Sequence, residues 1–439
     1  MLHSVTLDVS KCRGCTNCVK HCPTEAIRVR GGRARILNER CIDCGECVRI
    51  CPYHAKVAVT DPLSVINDYP YKIALPAPSL YGQFAGASDI RKILSGLLSM
   101  GFDDVFEVAR GAEIVSYAVG KRLQKPHKKP LISSACPAVL RLIQVRFPTL
   151  VDHVIDVEAP MEMAAQMARD GFCERHGADP RDVGVFFISP CAAKNTSVKS
   201  PLGNEKSHVS GVISMADIYG PLAALLSKGA FTGAYQGPLA RRCGVRWANS
   251  GGEADALRVP SALAVDGIHN VIRILEEIED GRLRDLDFFE GLACVGGCVG
   301  GPLTLENSFI ARGRIKALSG DLSAEPLKGG EFDALLERYP ADLRLPLQPR
   351  PVMKLDDDLA VAMAKMRRID EITENLPGLD CGACGSPSCR THAEDIVQGY
   401  ANEQDCLIRL RERLLQIAQE MAVLSHTTTM DLGKREDEQ

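Results

Sequence analysis

The chain has 439 residues, 45% of them hydrophobic and 25% charged, and a formal net charge of −4. Such a length accommodates about three domains with a sizeable core, and so slight a charge implies neither nucleic acid nor an anionic membrane as a partner. No apolar run reaches the ~18 residues of a bilayer span, and the opening M-L-H-S-V-T-L-D-V reads as a strand rather than an export leader. The eighteen cysteines are grouped at metal-ligand spacing. In a chain this long, that grouping argues for metal-bound thiolates in a reducing cytoplasm rather than for disulfides.

Residues 1–62 contain an internal duplication. Cys12, Cys15, Cys18 and Cys22 precede Pro23, and Cys41, Cys44, Cys47 and Cys51 precede Pro52. This is the bacterial two-cluster ferredoxin run, in which the fourth Cys of each half ligates the other cluster. One 4Fe–4S cluster is therefore expected on Cys12, Cys15, Cys18 and Cys51, and a second on Cys41, Cys44, Cys47 and Cys22. Zinc seldom takes three cysteines in Cys-x-x-Cys-x-x-Cys form.

From Tyr71 the pattern becomes α/β. Y-K-I-A-L-P-A-P reads as a strand, residues 89–100 as an amphipathic helix and D-D-V-F-E-V-A as a further strand. The basic, proline-broken run Lys121–Pro130 reads as a solvated loop, with a docking role as the alternative. Two apolar runs each end in a Cys at a strand-to-loop boundary, I-S-S-A-C-P-A-V (Cys136) and F-F-I-S-P-C-A-A-K-N (Cys191), where open α/β sheets place ligand-binding groups. Between them the methionines of M-E-M-A-A-Q-M-A, from Met161 to Ala168, read as core packing. R-W-A-N-S-G-G-E, with Trp247 and Gly251, is either an ordinary turn or part of a site. In E-G-L-A-C-V-G-G-C-V-G-G-P, Cys294 and Cys298 stand four apart, so on a helical turn both would project from one face. The glycines around them admit something bulky close to the backbone. Cys173 and Cys243 read as structural.

A Pro- and charge-rich connector is expected from about Gly320 to Pro351. Two helices with seven-residue apolar spacing follow, one through Leu355, Leu359, Ala362, Met366, Ile369, Thr373 and Leu376, the other through Leu407, Leu410, Leu414, Ile417, Met421 and Leu424. They are expected to pack together as an antiparallel hairpin, with homodimerisation or partner docking as the alternative. Between them Cys381, Cys384, Cys389 and Cys406 resemble the small 4Fe–4S domain of several anaerobic redox proteins, although four cysteines also suit zinc. Residues 426–439 read as a disordered tail.

In their order and context, the stretches around Cys136, Cys191 and Cys294–Cys298 resemble the three cysteine signatures of iron–iron hydrogenases over roughly residues 70–315. The resemblance implies an α/β, two-lobed large-subunit domain over 70–320, with the active-site cluster in its cleft. An α+β ferredoxin-like domain (1–62) precedes it and a helical iron–sulfur domain (352–425) follows. It further implies an H-cluster: a 4Fe–4S cube on Cys136, Cys191, Cys294 and Cys298, bridged through Cys298 to a diiron unit carrying carbon monoxide and cyanide, with Lys194 donating a hydrogen bond to a cyanide. Matured by diiron-inserting enzymes, such a site would cleave H2 and exchange protons. The ferredoxin clusters would carry electrons to a redox or signalling protein.

Departures from the family pattern shape the expected function. Where fast members carry a proton-passing Cys before the Cys136 equivalent, this chain has Ala135, which has no exchangeable proton. The family's outward glutamates fall, by ungapped count, on Val119 and Arg122. Val139 stands for a Trp, and Ser189 and Leu292 for methionines near the diiron unit. A site that can be built but lacks its proton exit resembles the subgroup thought to sense hydrogen. The alternatives are a catalytic hydrogenase with an unusual proton path, and a non-catalytic iron–sulfur protein lacking the diiron unit.

Overall fold

The computed structural model describes residues 3–229, 231–325, 327 and 329–431. Eleven strands occur among them: β1 (Val5–Leu7), β2 (Ile27–Arg30), β3 (Arg33–Ile36), β4 (Lys56–Ala58), β5 (Tyr71–Pro76), β6 (Asp104–Val105), β7 (Leu131–Ile132), β8 (Val183–Ser189), β9 (Gly211–Ser214), β10 (Ala262–Asp266) and β11 (Phe288–Leu292). The chain divides into two compact units, residues 1–8 with 38–352, and residues 9–37 with 353–439.

In the first unit, two parallel sheets carry the cysteine loops. One has the order β6-β5-β8-β9, with Tyr71 opposite Val183 and Phe186 opposite Gly211. The other has the order β10-β11-β7, with Phe288 between Ala262 and Leu131. All seven residues of β8 are buried, as expected of a central parallel strand covered on both faces. The helices Val108–Leu123 and Pro160–His176 meet at Gly111, where a Cβ would lie 2.3 Å from the Pro160 carbonyl oxygen. β1 pairs antiparallel with β4. Buried Asp43 then ties β1 to the helix Ala192–Lys199, accepting from the Ser4 and Val5 N–H groups at 3.1 and 3.0 Å and from the Thr196 hydroxyl at 3.0 Å. The segment expected to be a connector is packed instead. Residues Gly330–Arg338 form a helix whose Phe332 is buried with Ile114, Val115 and Phe288.

The second unit joins β2 and β3 to the C-terminal residues. Gly31 and Gly32, both at positive φ, make the two-residue turn of this hairpin, the conformation that matches strand twist. The Val29 N–H donates to the Gly385 carbonyl at 2.9 Å. Below that contact, Arg28 grips Asp395 through two bonds of 2.6 and 3.0 Å, with both side chains buried. Arg30 and the Ser386 hydroxyl also donate to this carboxylate.

The expected helix hairpin is not formed. The helix Leu359–Asn375 buries Ile369 and Ile372 with Ala393 of the helix Cys389–Val397. Along Leu407–Asp431 the seam Leu407, Leu410, Leu414, Ile417, Met421 and Leu424 is 36–66% exposed. The reason is spacing: the short helix Cys389–Val397 takes the place beside the first long helix that the second was expected to fill. The segment expected to be a disordered tail begins inside the last helix, which runs to Asp431; residues 432–439 lie outside the described residues.

Asp395→Ala would leave the Arg28 guanidinium buried without its counter-charge. The expected cost is about 3–5 kcal/mol, read as a lower denaturation midpoint and faster proteolysis of the C-terminal residues.

Candidate metal centre

Three loops leave the carboxyl ends of parallel strands and meet. Cys136 caps the helix Pro137–Arg146 after β7, Cys191 caps Ala192–Lys199 after β8, and Cys294 follows β11. Cys294 and Cys298 do not share a helical face as expected. Gly296 and Gly297 have φ of 86° and 93°, which breaks any helix between them, and Cys298 opens a short 3-10 turn. All four cysteines nevertheless line one cavity, mostly apolar, of about 860 Å³ including its mouth. Glycine permits the approach: a Cβ on Gly297 would sit 2.5 Å from the Ser250 nitrogen, and one on Gly301 2.3 Å from the Pro190 oxygen. The Ser250 N–H donates to the Gly296 carbonyl (3.0 Å) and the Val299 N–H to that of Ala248 (3.2 Å). The segment at Trp247–Gly251 is thus stitched to the cysteine loop, and Trp247 and Ala248 line the cavity. Met161 does so too, where only core packing was expected; Met163 and Met167 are core.

The donor set calls for a cation. Burial, reinforced by the charges of Cys294 and Cys136, pushes the Cys191 thiol up to about 12. Burial and its three cysteine neighbours raise Cys298 further, and burial also raises Cys294. Four mutually repelling thiolates in an apolar cavity are stable only around positive charge, which bound iron supplies. The residues therefore fit an iron–sulfur group. Lys194 Nζ donates to the Ala135 carbonyl at 3.0 Å, and its charge bears on Cys191 and Cys298. Of the positions matched to the family's glutamates, Val119 is buried in the core and Arg122 pairs with Asp156 at 3.0 Å.

Three residues at this centre escape a sequence reading. Arg49, on the short helix Glu46–Arg49 beside Cys47, donates to the Gly300 carbonyl at 3.1 Å and its guanidinium bears on Cys294. It spans from the ferredoxin-type cysteines to the cavity loop, and Cys44 packs in the same apolar cluster as Cys136 and Cys191. Glu253 and Glu290, both buried, line the cavity itself. The expectation of a cavity without an acid is therefore corrected. Glu290 accepts from the Gly251 and Ala254 N–H groups at 3.0 and 2.9 Å, whereas Glu253 accepts from the Ser133 hydroxyl. Burial raises both carboxyls, Glu253 also through the charge of Glu290. With two amide donors Glu290 is the better anion, so the proton of the pair rests on Glu253. The only forward signal was two glutamates, each beside a cysteine-loop or glycine-rich motif.

Cys381, Cys384, Cys389 and Cys406 line a second cavity, of about 390 Å³, in the other unit. The Asp380 carboxylate accepts the Cys389 N–H at 2.6 Å, and Gly382 and Gly385 adopt positive φ around Cys384. The geometry fits a four-thiolate metal group. Of the N-terminal cysteines, Cys41, Cys44, Cys47 and Cys51 belong to the first unit and Cys12, Cys15, Cys18 and Cys22 to the second. Backbone N–H groups point at their sulfurs, from Ala34 to Cys12 (3.4 Å), Ala26 to Cys22 (3.2 Å) and Ala55 to Cys51 (3.3 Å), as suits anionic sulfur.

Sequence comparison agrees with this geometry. The family described as iron only hydrogenase large subunit, C-terminal domain, matches residues 71–228 and 241–302, half of the chain. A 4Fe–4S dicluster domain matches residues 4–52 and a putative Fe–S cluster family residues 376–408. The chain belongs to the FeFe hydrogenase-like family. It is 32% identical over 213 residues to the periplasmic Fe hydrogenase large subunit of Nitratidesulfovibrio vulgaris, covering 44% of this chain and 51% of that one. It is 24% identical over 397 residues to an NADP-reducing hydrogenase subunit of Solidesulfovibrio fructosivorans, covering 77% of this chain and 64% of that one. The chain thus spans about half the length of the first of these relatives. A solved FeFe-hydrogenase structure superposes with a TM-score of 0.50 at 17% identity, covering 64% of this chain and 95% of its own, which fixes the shared fold. Among the described residues, no helix is long and apolar enough to cross a membrane.

The raised Glu253–Glu290 pair makes the folded chain bind more protons than the unfolded chain above the ordinary carboxylate range of about 4.3. Its contribution to stability therefore falls as pH rises. Glu253→Gln, which removes the titrating group, is expected to be more stable than wild type near about pH 8 and to lose that advantage near about pH 5. Thermal unfolding at the two pH values checks it.

Proposed function

We propose that this protein is a hydrogen-sensing FeFe hydrogenase of low turnover, cleaving H2 reversibly and relaying its redox state through 4Fe–4S clusters to a signalling partner in a reducing cytoplasm. The observation that carries the reading is Ala135 on the wall of a cavity that keeps its four cysteines and Lys194. The cube would be held by Cys136, Cys191, Cys294 and Cys298, with Cys298 as the bridge. When bound, the diiron unit delivered by maturation enzymes supplies the centre at which dihydrogen is split.

The chain's own residues then set the rate. Lys194 offers a fixed ammonium donor, and the apolar wall of Pro78, Met161, Phe187 and Leu292 excludes water. Ala135 can pass no proton. Glu253 can hold one at its carboxyl, and Glu290 and exposed Asp255, whose charge bears on Glu290, continue outward. This replaces a direct acid with a longer, buried path, which supports slow rather than absent exchange. The same carboxylates favour the second reading, a metabolic hydrogenase with an unusual proton path. The third, a cluster protein without the diiron unit, draws on a match of 22% over 96 residues to the cytosolic Fe–S cluster assembly factor NAR1 of Yarrowia lipolytica.

The matured protein distinguishes them. Infrared bands of carbon monoxide and cyanide with weak turnover are expected; cubane iron alone after maturation would establish the third reading. Ala135→Cys is expected to raise turnover by about 10²-fold or more. No gain, with wild-type turnover already fast, favours the metabolic reading. Glu253→Gln is expected to lower the remaining wild-type turnover by about 10²-fold while the infrared bands persist.

A further inference from the structure

His392 is 1% exposed, and neither ring nitrogen has a hydrogen-bond partner among the described residues. A buried imidazole N–H left unmade costs about 1–3 kcal/mol, so such a group calls for an explanation. Its surroundings supply one. His392 lines the same cavity as Cys381, Cys384, Cys389 and Cys406. It stands one helical turn after Cys389 on the helix Cys389–Val397, and so on the same face. The nearby polar groups are already engaged: Asp395 by Arg28, Arg30 and Ser386, and Thr391 by Glu25.

We propose that His392 donates a ring N–H to a sulfur of the cluster held by these four cysteines and thereby raises its reduction potential. The inference rests on the iron–sulfur reading of this domain. A hydrogen bond to cluster sulfur stabilises the more negative, reduced state more than the oxidised one. His392 is thus a positioning residue for electrons, making the C-terminal cluster easier to reduce than its thiolates alone would.

The test uses the full chain with its clusters assembled. Iron and acid-labile sulfide are counted first, and the potential of the C-terminal cluster is followed by redox titration with electron paramagnetic resonance. His392→Phe is expected to keep the iron content and shift the potential to more negative values, while His392→Gln, which retains an N–H donor, stays near wild type. An unchanged potential in the Phe variant overturns the proposal. Should that variant fail to assemble, isotope-labelled histidine in the wild-type protein decides. Weak nitrogen coupling to the reduced cluster is expected, and either no coupling or the strong coupling of a bound ligand overturns it. Zinc in place of iron at these cysteines removes the underlying reading, and appears in the metal count before any potential is measured.

The exposed seam from Leu407 to Leu424 on the last helix carries a second, independent inference. We infer that a second copy of this chain covers it in antiparallel orientation. In that register Leu414 faces Ile417 of the copy, Leu410 faces Met421 and Leu407 faces Leu424, and the flanking positions set Arg413 against Glu420 twice by symmetry. Parallel pairing would set Arg413 against Ala418 and Glu420 against Ser425, which gains nothing. Light scattering is expected to find a dimer. Arg413→Glu or Glu420→Arg alone should weaken it roughly tenfold, and the double reversal should restore it. A monomer, or a dimer indifferent to both single reversals, overturns the inference.

Discussion

Three loops have to approach within backbone contact of one another around Cys191 and Cys298, and only residues without a side chain allow it. Gly297 lies against Asn249–Ser250, and Gly301 against Pro190, at separations no Cβ would tolerate. Everything else at the centre follows from that closeness. The parallel strands aim the loops, the glycines let them touch, and the space they enclose is bounded by sulfur on one side and apolar side chains on the other. Burial then raises the Cys191 and Cys298 thiols, so that they give up their protons only where a bound cation compensates the negative charge.

The cysteine framework was legible before any coordinates. The duplicated ferredoxin run has no other common use at that spacing, and a Cys closing a short apolar strand marks a sheet's carboxyl edge. What escaped were features that depend on burial and on distant neighbours. Glu253 sits at the end of a glycine-rich turn and Glu290 on a strand, and nothing local distinguishes them from surface charge. Only when both are found enclosed, one capped by two amide N–H groups and the other by Ser133, do they become a proton-holding pair. Arg49 was invisible for the same reason, since beyond its neighbour Glu46 its partner at the centre, Gly300, lies 251 residues away.

The helical region shows a different limit. Heptad spacing identified both seams, but spacing says which residues share a face and not which surface meets that face. The helix Cys389–Val397 occupied the carboxyl-terminal part of the first seam, around Ile369 and Ile372, and the second was left to water. Likewise, composition alone marked Gly320–Pro351 as a connector, although Phe332, Tyr339 and Ala341 within it are buried and fasten a helix to the core.

The second unit is assembled from residues 9–37 and residues 353–439. At synthesis rates of about 5–20 residues per second, the first segment leaves the ribosome roughly 15–60 s before its partner exists. During that interval Arg28 and the β2–β3 hairpin have no Asp395 to close upon. Closure of the second unit thus waits for the end of the chain, because the carboxylate that anchors its hairpin, Asp395, is made late.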